Sequence, residues 1–270
     1  MKSFTVGIAG LGAAGMRIAR GLDAGEVPDM RLAAVSASSP ESAAAKVAGL
    51  KTPPTACAAE DLAAHADIVI EGAPKAAFLP VAQATIEAGK IFMPLSCAQL
   101  LEHMELGDRA RETGAQIIVP TGAILGLDAI RAMGVGEIQE VTLETRKPPR
   151  GLAGAPHLER NNISVNGLTE AKLVFKGTAR EAAIGFPANV NVSAALSLAG
   201  VGPDRTMVEV WADPGVDRNH QTVRVRSDSA EAEMVIRNVP TEENPRTGKI
   251  TALSVIACLQ RMTAPLVAGT

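Results

Sequence analysis

Four histidines, three cysteines and no tyrosine leave a short supply of side chains for proton transfer near neutral pH, beside the lysines and carboxylates. His220 stands in Arg218-Asn219-His220, between two predicted strands, which places it on a loop, where functional groups concentrate. Histidine suits acid/base work because both of its protonation states lie within reach at working pH. A surface histidine with no role is the plain alternative, since a single imidazole carries no geometry of its own. His65 reads as a helix end, His103 as a surface or cap residue on a helical stretch, and His157 follows the Gly/Pro-rich loop 151–156, where a lid is the functional alternative. No pair has metal-site spacing, so no metal is expected. Cys57, Cys97 and Cys258 are too few and scattered for a disulfide framework. Cys97 follows a predicted strand, either as a nucleophile or as the small buried hydrophobe that cysteine more often is.

The sharpest local pattern is Gly10-Leu11-Gly12-Ala13-Ala14-Gly15, between a predicted strand at 4–9 and a predicted helix at 13–22. In that setting the first glycine permits a tight turn, the second lets a pyrophosphate approach the backbone, and the third lets helix and strand pack closely. The phosphates then rest on the helix N-terminus. Gly10, Gly12, Ala13, Ala14 and Gly15 are therefore candidate dinucleotide contacts, against the alternative of a turn that only links strand to helix. An acid for the ribose 2′-hydroxyl is expected about 20 residues further on. Here the second strand ends Val35-Ser36-Ala37-Ser38-Ser39, without one. Nothing there repels a 2′-phosphate, and the hydroxyls of Ser36 and Ser38 can serve either cofactor, so both NAD and NADP are expected to bind. Ser38 or Ser39 equally suits the cap of a helix beginning at Pro40.

These groups need elements to hold them, and 270 residues are enough for about two domains at roughly 150 residues each. With 47% apolar and 20% charged residues the chain is a packed globular protein, not a disordered one. A net charge of -3 and 2% aromatics argue against nucleic acid, which needs a basic surface and stacking platforms. No apolar run approaches the ~18 residues of a membrane span. The N-terminus enters a strand without a leader, and the sparse cysteines suit a reducing cytoplasm.

Short β-branched runs at 4–9, 31–36, 67–71, 91–93 and 116–119 alternate with helical stretches at 13–22, 40–47, 78–88 and 99–113, the pattern of βαβ units. Beyond about residue 120, strands at 138–147, 171–175, 208–212, 221–227 and 231–238 follow one another closely, with helices at 180–184 and 189–198. The expected fold is α/β: an N-terminal Rossmann-type parallel sheet and a second α/β domain on a mixed or antiparallel sheet. Residues 1–119 form the dinucleotide-binding domain, 120–247 the substrate, catalytic and dimerisation domain, and 248–270 a C-terminal helix packing back on the first.

Ser96-Cys97-Ala98-Gln99-Leu100, Pro120–Gly126, Thr145–Pro149, Phe186–Asn191, Arg218–His220 and Asn244–Lys249 are strings that periodicity does not explain. Together they resemble the L-aspartate dehydrogenase family, along essentially the whole chain. The resemblance implies a Rossmann domain, a second domain whose sheet makes a homodimer, and NAD(P)-dependent interconversion of L-aspartate with iminoaspartate. The imine then hydrolyses to oxaloacetate and ammonia or enters NAD biosynthesis. By position, the family's active-site histidine falls on His220 and its further cofactor contacts on Ala123 and Asn189. A dicarboxylate substrate calls for local positive charge, with Arg146, Lys147, Arg218 and Lys249, beside Asn219, as candidate contacts and Arg246 close by. Each cation is equally at home as a solvated surface charge. The alternatives are another two-domain Rossmann oxidoreductase, such as a dihydrodipicolinate reductase or homoserine dehydrogenase, whose own motifs are not found, and a non-catalytic dinucleotide sensor.

Overall fold

A computed structural model describes residues 3–187, 190–243 and 247–269. Two compact units divide the chain, one of residues 1–120 with 251–267, the other of residues 121–250 with 268–270.

In the first unit the elements run β1 (Phe4–Ala9), α1 (Ala13–Asp23), β2 (Met30–Ser36), α2 (Pro40–Val47), β3 (Thr55–Ala56), α3 (Leu62–His65), β4 (Ile68–Glu71), α4 (Lys75–Glu87), β5 (Ile91–Pro94), α5 (Glu105–Thr113) and β6 (Gln116–Ile117). All strand pairs are parallel, in the order β3-β2-β1-β4-β5-β6. Helices cover such a sheet on both faces, so its strands are apolar throughout rather than alternating. Val6, Ile8 and Ala9 of β1 and Ile68, Val69 and Ile70 of β4 are all buried. Ile18, Ala19 and Leu22 give α1 a buried stripe at helical spacing. Ser39 caps α2, accepting from the Ser42 backbone N–H at 3.2 Å, with Pro40 at the first helical position.

The second unit comprises α6 (Leu127–Met133), β7 (Ile138–Lys147), α7 (Pro156–Arg160), β8 (Lys172–Thr178), α8 (Ala179–Gly185), α9 (Asn191–Ala199), β9 (Thr206–Ala212), β10 (His220–Ser227) and β11 (Glu231–Arg237). Its sheet runs β11-β10-β7-β9-β8; β7 and β9 are parallel and the other pairs antiparallel. Here the strands alternate. Val141, Leu143, Val208, Val210, Val223 and Val225 are buried, whereas Glu144, Arg146, Glu209 and Arg224 point to the opposite, more open face. The last helix, α10 (Lys249–Thr263), sends Val255, Ile256 and Leu259 into the core around Val6, Ile8 and Ile18 of the first unit. Two side chains fix it there: Gln260 donates to the Glu26 carbonyl at 2.7 Å and Thr263 to that of Pro28 at 3.2 Å.

Some expectations need correction. The helix predicted at 99–113 is two pieces, a 3₁₀ turn at Cys97–Leu101 and α5, with His103 between them. Burial of Leu100 and Leu101 and stacking of His103 on Phe78, at 6.3 Å between ring centroids, favour that tighter turn over a continuous helix. The brief α6 and α7 were not foreseen, being too short to show periodicity. His157 belongs to α7 and packs against Phe175 and Phe186, at 5.1 and 5.4 Å, so it is part of an aromatic cluster rather than a lid.

Candidate active and dinucleotide sites

The order of the parallel sheet reverses between β1 and β4, and ligands of such sheets bind in the crevice outside the carboxyl ends of the strands at that point. Gly10 sits there with φ +96°, and a Cβ on it would lie 2.5 Å from the Gly72 carbonyl. On Gly15, a Cβ would overlap the Gly10 carbonyl. Both glycines are thus demanded by close packing. Gly12 differs: it is exposed, and a Cβ on it would meet nothing within 4 Å. It opens α1 with no side-chain cap, and no acidic residue occupies the first turn. Free N–H groups and the positive end of the helix therefore border an open space, which fits the pyrophosphate of a dinucleotide.

At the end of β2, the Ser36 carbonyl accepts the Gly10 N–H at 3.0 Å while the Ser36 side chain is buried. Ser38 is exposed, and the acid nearest it along the chain on the C-terminal side is Glu41, which accepts a hydrogen bond from the Ser39 side chain. Two residues that motif reading passed over also reach this region. Lys46 of α2 donates to the Leu11 carbonyl at 3.2 Å, bringing positive charge to the glycine turn. Glu71, the last residue of β4, is fully buried, and burial pushes its carboxyl up to about 7 against three hydrogen bonds that pull it down. An acid closing the apolar run Ile68-Val69-Ile70 was the available signal.

In the second unit the candidates collect at one end of the mixed sheet. His220 is the first residue of β10 rather than a loop residue, paired in register with Arg146 of β7 and Arg237 of β11. Partners directly across a ladder share a face, so His220 lies on the open face with these two arginines. Desolvation, then the charges of Arg237 and Arg218, hold its pKa below the usual histidine value, opposed by Asp217 and Asp213. The imidazole is therefore neutral at neutral pH. Arg146 is ion-paired to Glu144 at 2.6 Å and Asp213 at 3.1 Å and stacks over Trp211, 4.8 Å from the ring centre.

Lys147, one residue on, projects to the opposite, covered face, where only 5% of it is exposed and burial pulls its pKa down to about 8. On that face Thr145 donates to Gln221, both buried. The structure thus separates Arg146 from Lys147, although they adjoin in sequence. Arg218 is half-buried and paired with Asp217 at 2.9 Å; Lys249 is exposed, 3.6 Å from Glu242. The Asn219 carbonyl accepts the Asn238 N–H at 3.0 Å, and the Asn238 side-chain amide donates to the Ala123 carbonyl at 3.0 Å. Asn238, another residue missed in the sequence, therefore ties the histidine segment to the segment of Ala123. Asn189 and Arg246 lie outside the described residues. Among the described residues no group of three potential ligands could hold a metal ion.

A glycine-turn crevice on a parallel sheet, followed by a second α/β unit with titratable groups at one sheet end, defines a NAD-binding protein of the two-domain Rossmann type. Residues 10–120 match the homoserine dehydrogenase NAD-binding domain family, and residues 128–262 the aspartate dehydrogenase C-terminal family. L-aspartate dehydrogenase 3 of Bordetella bronchiseptica is 50% identical, over 98% of this chain and 97% of its own length. The L-aspartate dehydrogenases of Bradyrhizobium diazoefficiens and Methanocella arvoryzae are 49% and 40% identical, with 94% and 100% of their lengths covered by 98% and 99% of this chain. The chain belongs to the L-aspartate dehydrogenase family. Its fold is that of the aspartate dehydrogenase of Thermotoga maritima, at TM-score 0.74 and 22% identity, over 98% of this chain and 99% of that one.

Proposed function

We propose that this chain catalyses the reversible NAD(P)-dependent oxidative deamination of L-aspartate to iminoaspartate, which hydrolyses to oxaloacetate and ammonia or feeds NAD biosynthesis. The observation that carries the reading is His220, a neutral imidazole at a sheet end furnished with Arg146, Arg218 and the buried Lys147. With its pyrophosphate held at the glycine turn, a bound NAD(P) would supply its nicotinamide as the hydride acceptor. Gly10, Gly12, Ala13, Ala14 and Gly15 hold the pyrophosphate, Ser36 and Ser38 border the adenine ribose, and Ala123 and Asn189 complete the cofactor contacts. An amine gives up hydride from Cα readily only once its nitrogen is unprotonated, so the ring nitrogen of neutral His220 takes the proton from the substrate amino group. It returns a proton in the amination direction. Lys147, Arg218, Asn219 and Lys249 are assigned to the two carboxylates, with Arg146 fixing the sheet end through its own ion pairs.

The working form is a homodimer joined through the open face of the mixed sheet. That face carries Trp211, whose indole N–H is buried without an acceptor, and Val235 and Leu173, 43% and 39% exposed. A cytoplasmic location is supported by three free cysteines, and no helix among the described residues is long and apolar enough to cross a membrane.

Initial rates with L-aspartate and a panel of other amino acids, each with NAD and with NADP, test the reading. L-aspartate should be strongly preferred and both cofactors used. A preference above about a thousandfold for one cofactor, some 4 kcal/mol, would reject dual use. Tight NAD binding without turnover of L-aspartate, or of oxaloacetate with ammonia, would mark a sensor instead.

A further inference from the structure

Glu71 is a fully buried acid that the reaction above does not use, and its contacts point to a task. Its Oε1 accepts the Ala73 N–H at 2.9 Å and the Ser96 hydroxyl at 3.1 Å; its Oε2 accepts the Ser96 N–H at 3.2 Å. Those donors belong to the segments that leave β4 and β5 at their carboxyl ends. The main chain ties the same segments together: Gly72 N–H bonds the Ala9 carbonyl at 2.8 Å, and Leu95 N–H bonds that of Glu71 at 2.7 Å. Gly72 in turn is the residue whose carbonyl leaves Gly10 no room for a side chain. One carboxylate therefore fastens the β4 and β5 segments against the glycine turn, at the crevice where the sheet order reverses.

Each carboxylate oxygen already faces a backbone N–H, a group that can only donate. The three donors fill three of the four acceptor sites, and their bonds are charge-assisted only while Glu71 is ionised; a proton on the carboxyl leaves the weaker bonds of a neutral acid. The neighbouring strands β1 and β5 bring no ionisable side chain to it. On the segments beyond, the ionisable residues are Lys75, ion-paired to Glu102 at 2.8 Å, and Cys97, buried directly after Ser96.

We propose that Glu71 is a positioning residue for the dinucleotide. Its ionised carboxylate sets the β4 and β5 segments as the wall of the crevice, and its protonation loosens their hold and weakens cofactor binding. The proposal rests on the dinucleotide site being at the glycine turn. Burial places the protonation near pH 7, inside the range where the protein can be handled.

Binding of NADH, followed by its own fluorescence in the absence of substrate, provides the test. NADH is the probe because it lacks a 2′-phosphate, which would itself titrate. In the wild type the dissociation constant should rise by about tenfold as pH falls from about 9 to about 5.5, the worth of one hydrogen bond to a charged group. The midpoint should lie at about 7. Glu71→Gln should show the weak value at every pH. Ser96→Ala removes one donor to the ionised form and should move the midpoint to higher pH, a shift that a merely structural role would not produce. A wild-type constant that is flat with pH, or a Glu71→Gln protein that keeps the wild-type profile, would overturn the proposal. If Glu71→Gln fails to fold, the wild-type profile and the Ser96→Ala shift still decide. Absence of NADH binding by the wild type at any pH would instead remove the dinucleotide reading beneath it.

Discussion

At the carboxyl ends of the parallel sheet, Gly10, Gly12 and Gly15 build a site out of backbone, and the side chains that matter, Ser36 and Glu71, are buried behind it. At the His220 end of the mixed sheet the backbone is ordinary ladder, and the chemistry lies in side chains: His220, Arg146, Lys147, Arg218 and Asn238. On the proposed function the first arrangement would recognise what all dinucleotides share, a pyrophosphate, and would need shape more than charge. The second, on the same proposal, would recognise one small acid and move protons, which takes specific ionisable groups at specific register positions. Each end also harbours a buried charge of opposite kind, Glu71 with a raised pKa and Lys147 with a lowered one.

Substitutions can break or sharpen this contrast. The largest effect is expected from Gly15→Ala, whose Cβ would overlap the Gly10 carbonyl: a loss above about 4 kcal/mol of stability, seen as failure to fold or as a collapsed melting temperature. A soluble, NADH-binding Gly15→Ala protein would mean that the backbone site is not rigid.

Next comes Lys147→Met. The folded pKa of about 8, against 10.5 for a free lysine, makes the buried cation cost about 3 kcal/mol. Because the folded pKa is lowered, that cost is in full force below pH 8 and disappears as pH rises through 10.5. The variant should therefore show a shallower rise of stability with pH between about 8 and 10.5 than the wild type, and a raised KM for L-aspartate. Unchanged KM would remove Lys147 from substrate binding. Glu71 works in the opposite sense: its raised pKa gives stability that is complete below pH 4.5 and is lost as pH rises through about 7.

His220→Ala should lower kcat by about 100-fold with little change in NADH affinity, as the acid/base role proposed above requires. A near-normal kcat would exclude the imidazole from the reaction. The mildest change is Gly12→Ala, where the added methyl meets no protein atom: stability should hold within about 0.5 kcal/mol. Yet NADH affinity should fall by about tenfold or more, about 1.4 kcal/mol, because the methyl occupies the pyrophosphate's space. Equal affinity in the two proteins would show that the open space beside Gly12 is not where the phosphates lie.

The same contrast governs how much of the molecule the sequence discloses. The strands at 4–9 and 138–147 and the helix at 40–47 are legible to the residue, because β-branched runs, glycines and a Ser-Pro start impose them locally. The glycine turn is legible for the same reason. Ala123 stands out only through resemblance to a family, while His220 and Lys147 are candidates by residue type whose roles the resemblance sharpens, since their neighbourhood is assembled by cross-strand register. Arg146 and Lys147 illustrate the limit, as adjacent cations suggest one cationic grip and a strand sends them to opposite faces. Lys46 and Asn238 were invisible because each draws its importance from a partner segment remote in sequence, which a local pattern does not encode, whereas Glu71 had one local signal, an acid closing an apolar strand.

The chain has one tryptophan, Trp211, and no tyrosine. Trp211 stands on β9 under the Arg146 guanidinium, well inside the second unit. Emission excited selectively at tryptophan is consequently a local signal from the mixed sheet, to which the first unit, whose aromatic rings beyond histidine are Phe4, Phe78 and Phe92, adds nothing. Emission and far-ultraviolet dichroism followed through one denaturant titration would thus report the second unit alone and the whole backbone together, so separate melting of the units would appear as two non-coincident curves without any label being attached.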